Sequence, residues 1–370
     1  MRRMSKIAAV TMVGALALTG CGSNSGGGGG GSDSGSGGSA SEDVCKSKTD
    51  GEGPKIGLAY DVGGRGDQSF NDSAYAGLKK AVDEIDATCV EANAQTDDND
   101  TTRAERLRTL AEGGVNPVIA VGYLYSPAAA QVAPEYPDVD FAVIDGFSTT
   151  IAKDATNLAD LTFAENEGSY LVGVAAALKS ESGKIGFVGG VDGALIQKFE
   201  AGYVAGAKSV KPDIDVEIQY LTQDQNDAAA GYENPSGGKA AAEAMYQDGR
   251  DVVYHAAGKS GLGVFQAAAA AGEGNWAIGV DSDQYLTAPE DQQPRILTSM
   301  LKRIDTAVFE AGSAVADDSW KSGFVTYDLK SDGVGYSTSG GFVDDLRTQI
   351  DEAGDQIKSG EVTVPSEPEN

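Results

Sequence analysis

The stretch DVGGRGDQSFNDSAYAG (Asp61–Gly77) brings together a carboxylate, Asp61, a cluster of glycines, an aromatic ring, Phe70, and an amide, Asn71. Gly63, Gly64 and Gly66 open backbone conformations closed to other residues and let the chain approach a small molecule closely. Phe70 stands where loop gives way to helix, so its face can cover a flat heterocycle. Such a stack contributes about 0.5–1.5 kcal/mol beyond area burial. The alternative for Phe70 is a hydrophobic staple onto the helix. Asp61, at the end of the strand-like run KIGLAY, can accept hydrogen bonds from ring N–H groups. Ser69 or Asn71 is suited to cap the helix, and Asp67 reads as a loop or capping residue.

Asp281 closes the run WAIGVD, where a carboxylate can accept from both hydroxyls of a cis-diol. A mismatched hydroxyl pattern would leave buried charge unpaired, which makes the contact selective. Lys302 can donate to sugar oxygens and hold Asp281 ionised, and Gly258 allows close backbone approach. Tyr123 and Asp145 lie at strand ends as further candidates.

These residues need a frame that brings strand ends together. From Lys55 onward, strand-like runs (KIGLAY, CVEANA, PVIAVG, DFAVIDG, KIGFVGG, VEIQYL, DVVYHAA, WAIGVD, RILTSM) alternate with helical runs. The expected helices are 73–85, 101–112, 126–136, 168–179, 198–210, 238–248, 261–271 and 301–317. Continuous Val/Ile/Ala strands each followed by a helix indicate parallel sheets covered on both faces. The pattern restarts at GKIGFVGG (Gly183), echoing PKIGLAYD (Pro54). Two similar α/β lobes account for this better than one barrel. In open α/β sheets, ligands sit beyond the carboxyl ends of the strands, where Asp61, Gly122, Asp145, Gly258 and Asp281 fall.

Composition narrows the partners. The chain has 370 residues, a formal charge of −28 and one histidine, His255. So acidic a chain suits neither nucleic acid nor anionic membrane surfaces. One histidine leaves little scope for a His-based zinc site or a Ser/His/Asp triad. HAAGKSGLG lacks the first glycine of a phosphate loop, because Val253 occupies that position. The run TDDNDTT (96–102) lacks EF-hand spacing and reads as a solvated loop. No catalytic residue, metal site or cofactor is expected.

The first residues read as targeting. Arg2, Arg3 and Lys6 precede the apolar run IAAVTMVGALAL, which is too short to span a bilayer. LTGC (Leu18–Cys21) resembles a bacterial lipobox, implying a signal segment over 1–20 and lipidation of Cys21. A Gly/Ser tether follows; at about 5–6 Å × √n, roughly 30 residues reach about 30 Å. The two remaining cysteines, Cys45 and Cys89, are an even count in an oxidising compartment, so a disulfide between them is expected.

With these motifs read, a resemblance emerges. DVGGRGDQSFNDSAYAG, FAENEGSYLVGVAAA (Phe163–Ala177), GKIGFVGG, DVVYHAAGKSGLGV (Asp251–Val264), AIGVDSDQ (Ala277–Gln284) and ILTSMLK (Ile296–Lys302) occur in order. The chain resembles the basic-membrane-protein family, the purine-nucleoside-receptor group of ABC-transporter binding lipoproteins, over about residues 55–317. The resemblance implies a type I periplasmic-binding-protein fold: two doubly wound parallel-sheet lobes joined by a hinge, with a ligand closed between them. It implies that Phe70 stacks on a base and Asp61 contacts it. It places a second aromatic before an Asp-Pro-x-x-Gly-Lys run. GYENPSGGK is the nearest match, giving Tyr232, although Asn234 replaces the Asp and QDQNDAAA (Gln223–Ala230) looks inserted. Phe199 competes for that role but reads as packing.

The expected ligand-binding set is Asp61, Phe70, Asn71, Tyr123, Asp145, Tyr232, Gly258, Asp281 and Lys302. The expected division is a signal segment (1–20), lipidated Cys21 and tether (21–53), a first lobe (54–161 plus about 292–323) and a second lobe (162–291 plus about 324–370). The resemblance implies a monomeric, lipid-anchored receptor on the extracytoplasmic face of the cell membrane. It would capture nucleosides, purine nucleosides foremost, and deliver them to ABC permease subunits, touching the membrane through its anchor alone. Two alternatives stay open: the same fold binding a free base, sugar or signalling molecule, and a nucleoside-processing surface enzyme.

Overall fold

Two six-stranded sheets carry the chain. The computed structural model describes residues 43–95 and 98–369. The expected signal segment, Cys21 and most of the tether lie outside the described residues. The first part runs α1 (Val44–Ser47), β1 (Lys55–Ala59), α2 (Phe70–Glu84), β2 (Thr88–Ala92), α3 (Asp100–Glu112), β3 (Val118–Val121), α4 (Ser126–Val132), β4 (Phe141–Ile144), α5 (Ser148–Ile151) and β5 (Leu158–Phe163). Next come α6 (Glu165–Lys179), β6 (Lys184–Val191), α7 (Ala194–Val210), β7 (Asp215–Thr222), α8 (Ala228–Tyr232), α9 (Pro235–Gln247), β8 (Val252–Ala256), α10 (Leu262–Ala271), β9 (Trp276–Asp281) and β10 (Ile296–Lys302). The chain ends with α11 (Ile304–Ala316), β11 (Gly323–Tyr327), β12 (Val334–Tyr336) and α12 (Arg347–Ser359).

The first sheet has the order β11-β5-β4-β3-β1-β2 and the second β12-β10-β9-β8-β6-β7. All pairings are parallel except that of β12 with β10. Position for position the orders match, with β1 answering to β6 and β4 to β9. This is the restart read at Gly183. β3, β4 and β8 are buried along their whole length, as strands covered on both faces must be. The chain passes between the sheets after β5, after β10 and after β11, and these three crossings form the hinge.

The division near residue 292 needs correcting. β10 (Ile296–Lys302) pairs with β9 in the second sheet, and β11 (Gly323–Tyr327) pairs with β5 in the first. The chain therefore changes lobe just after Lys302, and α11 packs on α2 of the first lobe. For the same reason Leu301 and Lys302 belong to a strand, not to the start of a helix. A strand's own composition does not say which sheet it joins; only its pairing does. β5, β11, β12 and the helices α1, α5, α8 and α12 were not expected.

Two local features bear on the site. Asp67 caps α2: its carboxylate accepts from the backbone N–H groups of Ser69 (3.0 Å), Asn71 (2.8 Å) and Asp72 (3.1 Å). An anion answering the unpaired N–H groups of a helix start is favourable, and it displaces Ser69 and Asn71 from the expected capping role. Cys45 in α1 is disulfide-bonded to Cys89 in β2, with Cα atoms 4.9 Å apart, which ties the segment leaving the tether to the first sheet.

Candidate ligand-binding site

β1, β3, β4, β8 and β9 all end toward the space between the sheets, and their tips bring polar groups around one cavity. It encloses about 580 Å³ of empty space, part of it open to solvent. Asp61, Phe70, Asn71, Tyr123, Asp145, Tyr232, Gly258, Asp281 and Lys302 all line it. Residues 61–145 of that set come from the first lobe and 232–302 from the second. Val62, Gly122, Leu195, Ile196, Phe199 and Lys259 complete much of the wall.

Asp61 is held by its neighbours. Asn71 Oδ1 accepts from the Asp61 N–H at 3.0 Å, and Asn71 Nδ2 donates to Asp67 at 3.0 Å. Asn71 thus fixes the strand tip to the helix start. Its carboxylate accepts from Val62 N–H at 2.8 Å. Burial pushes the Asp61 carboxyl up to about 6, against that hydrogen bond and the charge of Arg103. Gly122, at φ 103°, lies against it: a Cβ there would stand 1.9 Å from Asp61 Oδ2.

Lys302 anchors the hinge side. It is 1 % exposed. Its Nζ donates to Asp145 Oδ2 at 2.6 Å and lies 3.4 Å from Glu165 Oε1. Burial works against its charge, but Asp145, Glu165 and Asp281 outweigh burial and raise its pKa. The ammonium also sits 5.3, 5.0 and 5.4 Å from the ring centres of Phe70, Phe163 and Phe199. Asp145 Oδ1 is buried without a partner, and burial pushes that carboxyl up against the pull of Lys302. Lys302 was expected to hold Asp281 ionised. Instead its short contacts go to Asp145 and Glu165, and burial raises the Asp281 carboxyl despite the Lys302 charge and a Ser69 hydrogen bond.

Tyr232 ends α8 and packs on Gly190, where a Cβ would lie 2.3 Å from its Cε1. Tyr123 lines the cavity from the opposite lobe. Phe199, set aside as packing, also faces the cavity, so both aromatic candidates belong to its wall. Glu165, 1 % exposed, pairs with Lys302 and with Lys198 at 3.2 Å and was not singled out. Its place just after the β5 crossing, in the FAENEG block, was the available signal. His255 is buried outside the cavity with its ring 5.2 Å from Phe265, and burial pushes it down to about 3. It is a neutral core residue.

Two parallel α/β lobes closed over a cavity at their strand tips define a solute-binding protein of the type I periplasmic-binding-protein fold. The sequence comparisons agree and go further. Residues 55–368 match the family described as ABC transporter substrate-binding protein PnrA-like, and the chain belongs to that family. It is 32% identical to the ABC transporter nucleoside-binding protein BmpA of Lactococcus lactis, over 99% of each chain. It is also 32% identical to basic membrane protein A of Borreliella burgdorferi, over 88% of this chain and 91% of that one. Among solved structures, a solute-binding protein of an ABC transporter system from Aeropyrum pernix superposes with a TM-score of 0.72 at 28% identity, covering 86% of this chain and 94% of that one. The relatives from Lactococcus lactis and Aeropyrum pernix are named as binding proteins of ABC transporters. Among the described residues no helix is long and apolar enough to cross a membrane.

Proposed function

We propose that the protein is a lipid-anchored extracytoplasmic receptor that captures nucleosides, purine nucleosides foremost, and hands them to an ABC permease. The observation that carries this reading is the cavity at the strand tips, lined by aromatic rings and by buried acids from both lobes. A purine offers flat faces and N–H edges; a ribose offers paired hydroxyls. Phe70 and Tyr232 supply faces for the base, Asp61 accepts from its edge, and Asp281 accepts from the sugar hydroxyls. Asp145 has a free carboxylate oxygen for a further donor. A site whose acids are buried favours a neutral ligand rich in donors.

The lobes close about the hinge, and the permease reads the closed form. Cys21 carries the anchor, and a tether reaching about 30 Å keeps the folded body near the membrane. The protein acts as a monomer. The relative named as a nucleoside-binding protein supports the ligand class. Native mass spectrometry of the purified protein, followed by calorimetry with inosine, hypoxanthine and D-ribose, tests the reading. Inosine is expected to bind far more tightly than ribose. Binding of a sugar or another small molecule with no response to any nucleoside would favour the same fold serving a different ligand. Conversion of inosine to free base and ribose would make the protein an enzyme.

A further inference from the structure

The turn after β4 carries Asp145, and its geometry is imposed from the next strand. Asp145 holds a left-handed backbone at φ 58°, which a side chain keeps only where its surroundings over-determine it. Asp160, on β5, lies opposite Val143 in the parallel register and is 0 % exposed. Its Oδ1 accepts from the Ser148 N–H at 2.9 Å and from the Ser148 hydroxyl at 2.5 Å. Its Oδ2 accepts from the Thr149 N–H at 2.8 Å and from the Thr149 hydroxyl at 2.6 Å. These bonds occupy the lone-pair sites of an ionised carboxylate and leave none for a ligand. Gly146 makes room for the approach: a Cβ there would stand 2.2 Å from Asp160 Oδ1. Two further bonds complete the hold. The Asp145 N–H donates to the Leu161 carbonyl at 2.8 Å, and the Phe147 N–H to Ser126 Oγ at 3.0 Å. All of these partners belong to the first lobe, so the hold does not depend on how the lobes are set. In the second lobe a buried amide stands in the corresponding place. Gln284 Oε1 accepts from the Val280 N–H, directly before Asp281, at 2.8 Å.

We propose that Asp160 is a positioning residue for ligand binding: by gripping Ser148 and Thr149 it fixes the turn that aims Asp145 into the cavity. Lys302 takes Asp145 Oδ2 at 2.6 Å, and Oδ1 is buried with no partner among the described residues. That oxygen serves a ligand donor well only if its backbone is already in place. A turn free to flex would lose affinity to the entropy of ordering it. Hydrogen bonds to a charged acceptor are among the stronger kinds, so one carboxylate with four donors is enough to hold a short turn. The role in binding rests on the proposed use of the cavity; the hold on the turn does not.

Hydrogen exchange over residues 145–150 compares the wild type with Asp160→Asn, which keeps the shape but turns one acceptor oxygen into a donor. Faster exchange confined to this turn is expected, with the rest of the first lobe unchanged. Calorimetry follows inosine through a double-mutant cycle with Asp145→Asn. Asp160→Asn alone is expected to weaken inosine binding about tenfold. In the Asp145→Asn background the same change is expected to weaken it less than about twofold, because the group being positioned is already disabled. A residue that serves stability alone would lower the melting temperature and either leave inosine affinity unchanged or reduce it equally in both backgrounds. Each of those results overturns the proposal, as does unchanged exchange at the turn. If Asp160→Asn does not fold, Thr149→Val carries the same cycle. It removes one half-buried hydroxyl donor and keeps both backbone bonds, and its expected loss is about threefold. Should the wild type bind no nucleoside, the ligand reading and the role in binding fall together, while exchange still decides whether Asp160 holds the turn.

Discussion

Asp145 and Asp281 occupy the same place in the two lobes. Each follows or ends the third strand of its sheet order, β4 and β9, and each has a left-handed backbone, with φ 58° and 63°. Both are buried at the cavity wall. Asp and Asn tolerate this conformation better than other side chains with a Cβ. Asp281→Asn therefore removes charge while keeping the turn. It is expected to weaken inosine binding by about 2 kcal/mol or more and leave hypoxanthine binding unchanged, as read by calorimetry. Equal losses for both ligands would move the ribose away from Asp281.

Gly122 sets the position of Asp61. Ala at residue 122 would need φ near 103° and would put a methyl 1.9 Å from the Asp61 carboxylate. Gly122→Ala is expected to cost about 1–3 kcal/mol of stability for the backbone alone. Because Asp61 must then turn away, ligand affinity should fall by more than the melting shift accounts for. Thermal unfolding and calorimetry on the same sample check both.

Phe70 tests the stacking reading directly. Its ring lines the cavity and lies 5.3 Å from Lys302 Nζ. Phe70→Ala is expected to weaken nucleoside binding by at least about 1 kcal/mol with the fold retained. Unchanged affinity in a folded variant would return Phe70 to the role of a hydrophobic staple.

The sequence made the strands and the cavity residues legible for a common reason. Central apolar runs such as PVIAVG are buried on both faces, so they announce themselves, and ligand residues fall at their ends. β5 escaped because LADLTF carries Asp160, which is fully buried and accepts from the N–H groups of Ser148 and Thr149 at 2.9 and 2.8 Å. An acid satisfied by a distant turn looks like a surface residue in one dimension. α12 had a readable signal, with Ile350, Ala353 and Ile357 spaced along one buried face. Ser69 and Glu165 stood inside recognised motifs, yet their partners, Asp281 and Lys302, are more than a hundred residues away. Spacing along the chain does not encode such pairs. The crossing after β10 was hidden for a similar reason, since sheet membership depends on pairing.

Lys302 balances two acids at once. Lys302→Met would leave Asp145 and Glu165 facing each other without their shared cation. Removing one partner of a buried ion pair costs about 3–5 kcal/mol. The variant is expected to lose stability of that order at neutral pH, and part of it should return in acid as the buried acids take up protons. Urea unfolding at two pH values reads this. A loss independent of pH would mean that packing among Phe70, Phe163 and Phe199, rather than charge, is the role of Lys302.

Asp61 gives binding a pH dependence whose sign follows from its burial. Burial pushes its pKa up to about 6, above the 3.8 of the unfolded chain. The folded state therefore binds the extra proton, and this group's stabilising contribution grows as pH falls through about 6 and is complete below about 4. A ligand N–H requires the carboxylate, so binding must expel that proton wherever it is present. Affinity is expected to be flat above about pH 7 and to fall as pH drops through about 6. Calorimetry at about pH 5.5 in two buffers of different ionisation enthalpy should show release of a fraction of a proton, and less at about pH 7.5. Asp67, also raised to about 6, keeps its three backbone donors with or without ligand and should add nothing. Asp61→Asn should reduce the release to the share of Asp145 and Asp281, whose carboxyls burial also pushes up. If the wild type releases no proton at the lower pH, Asp61 is not the acceptor for the ligand's edge.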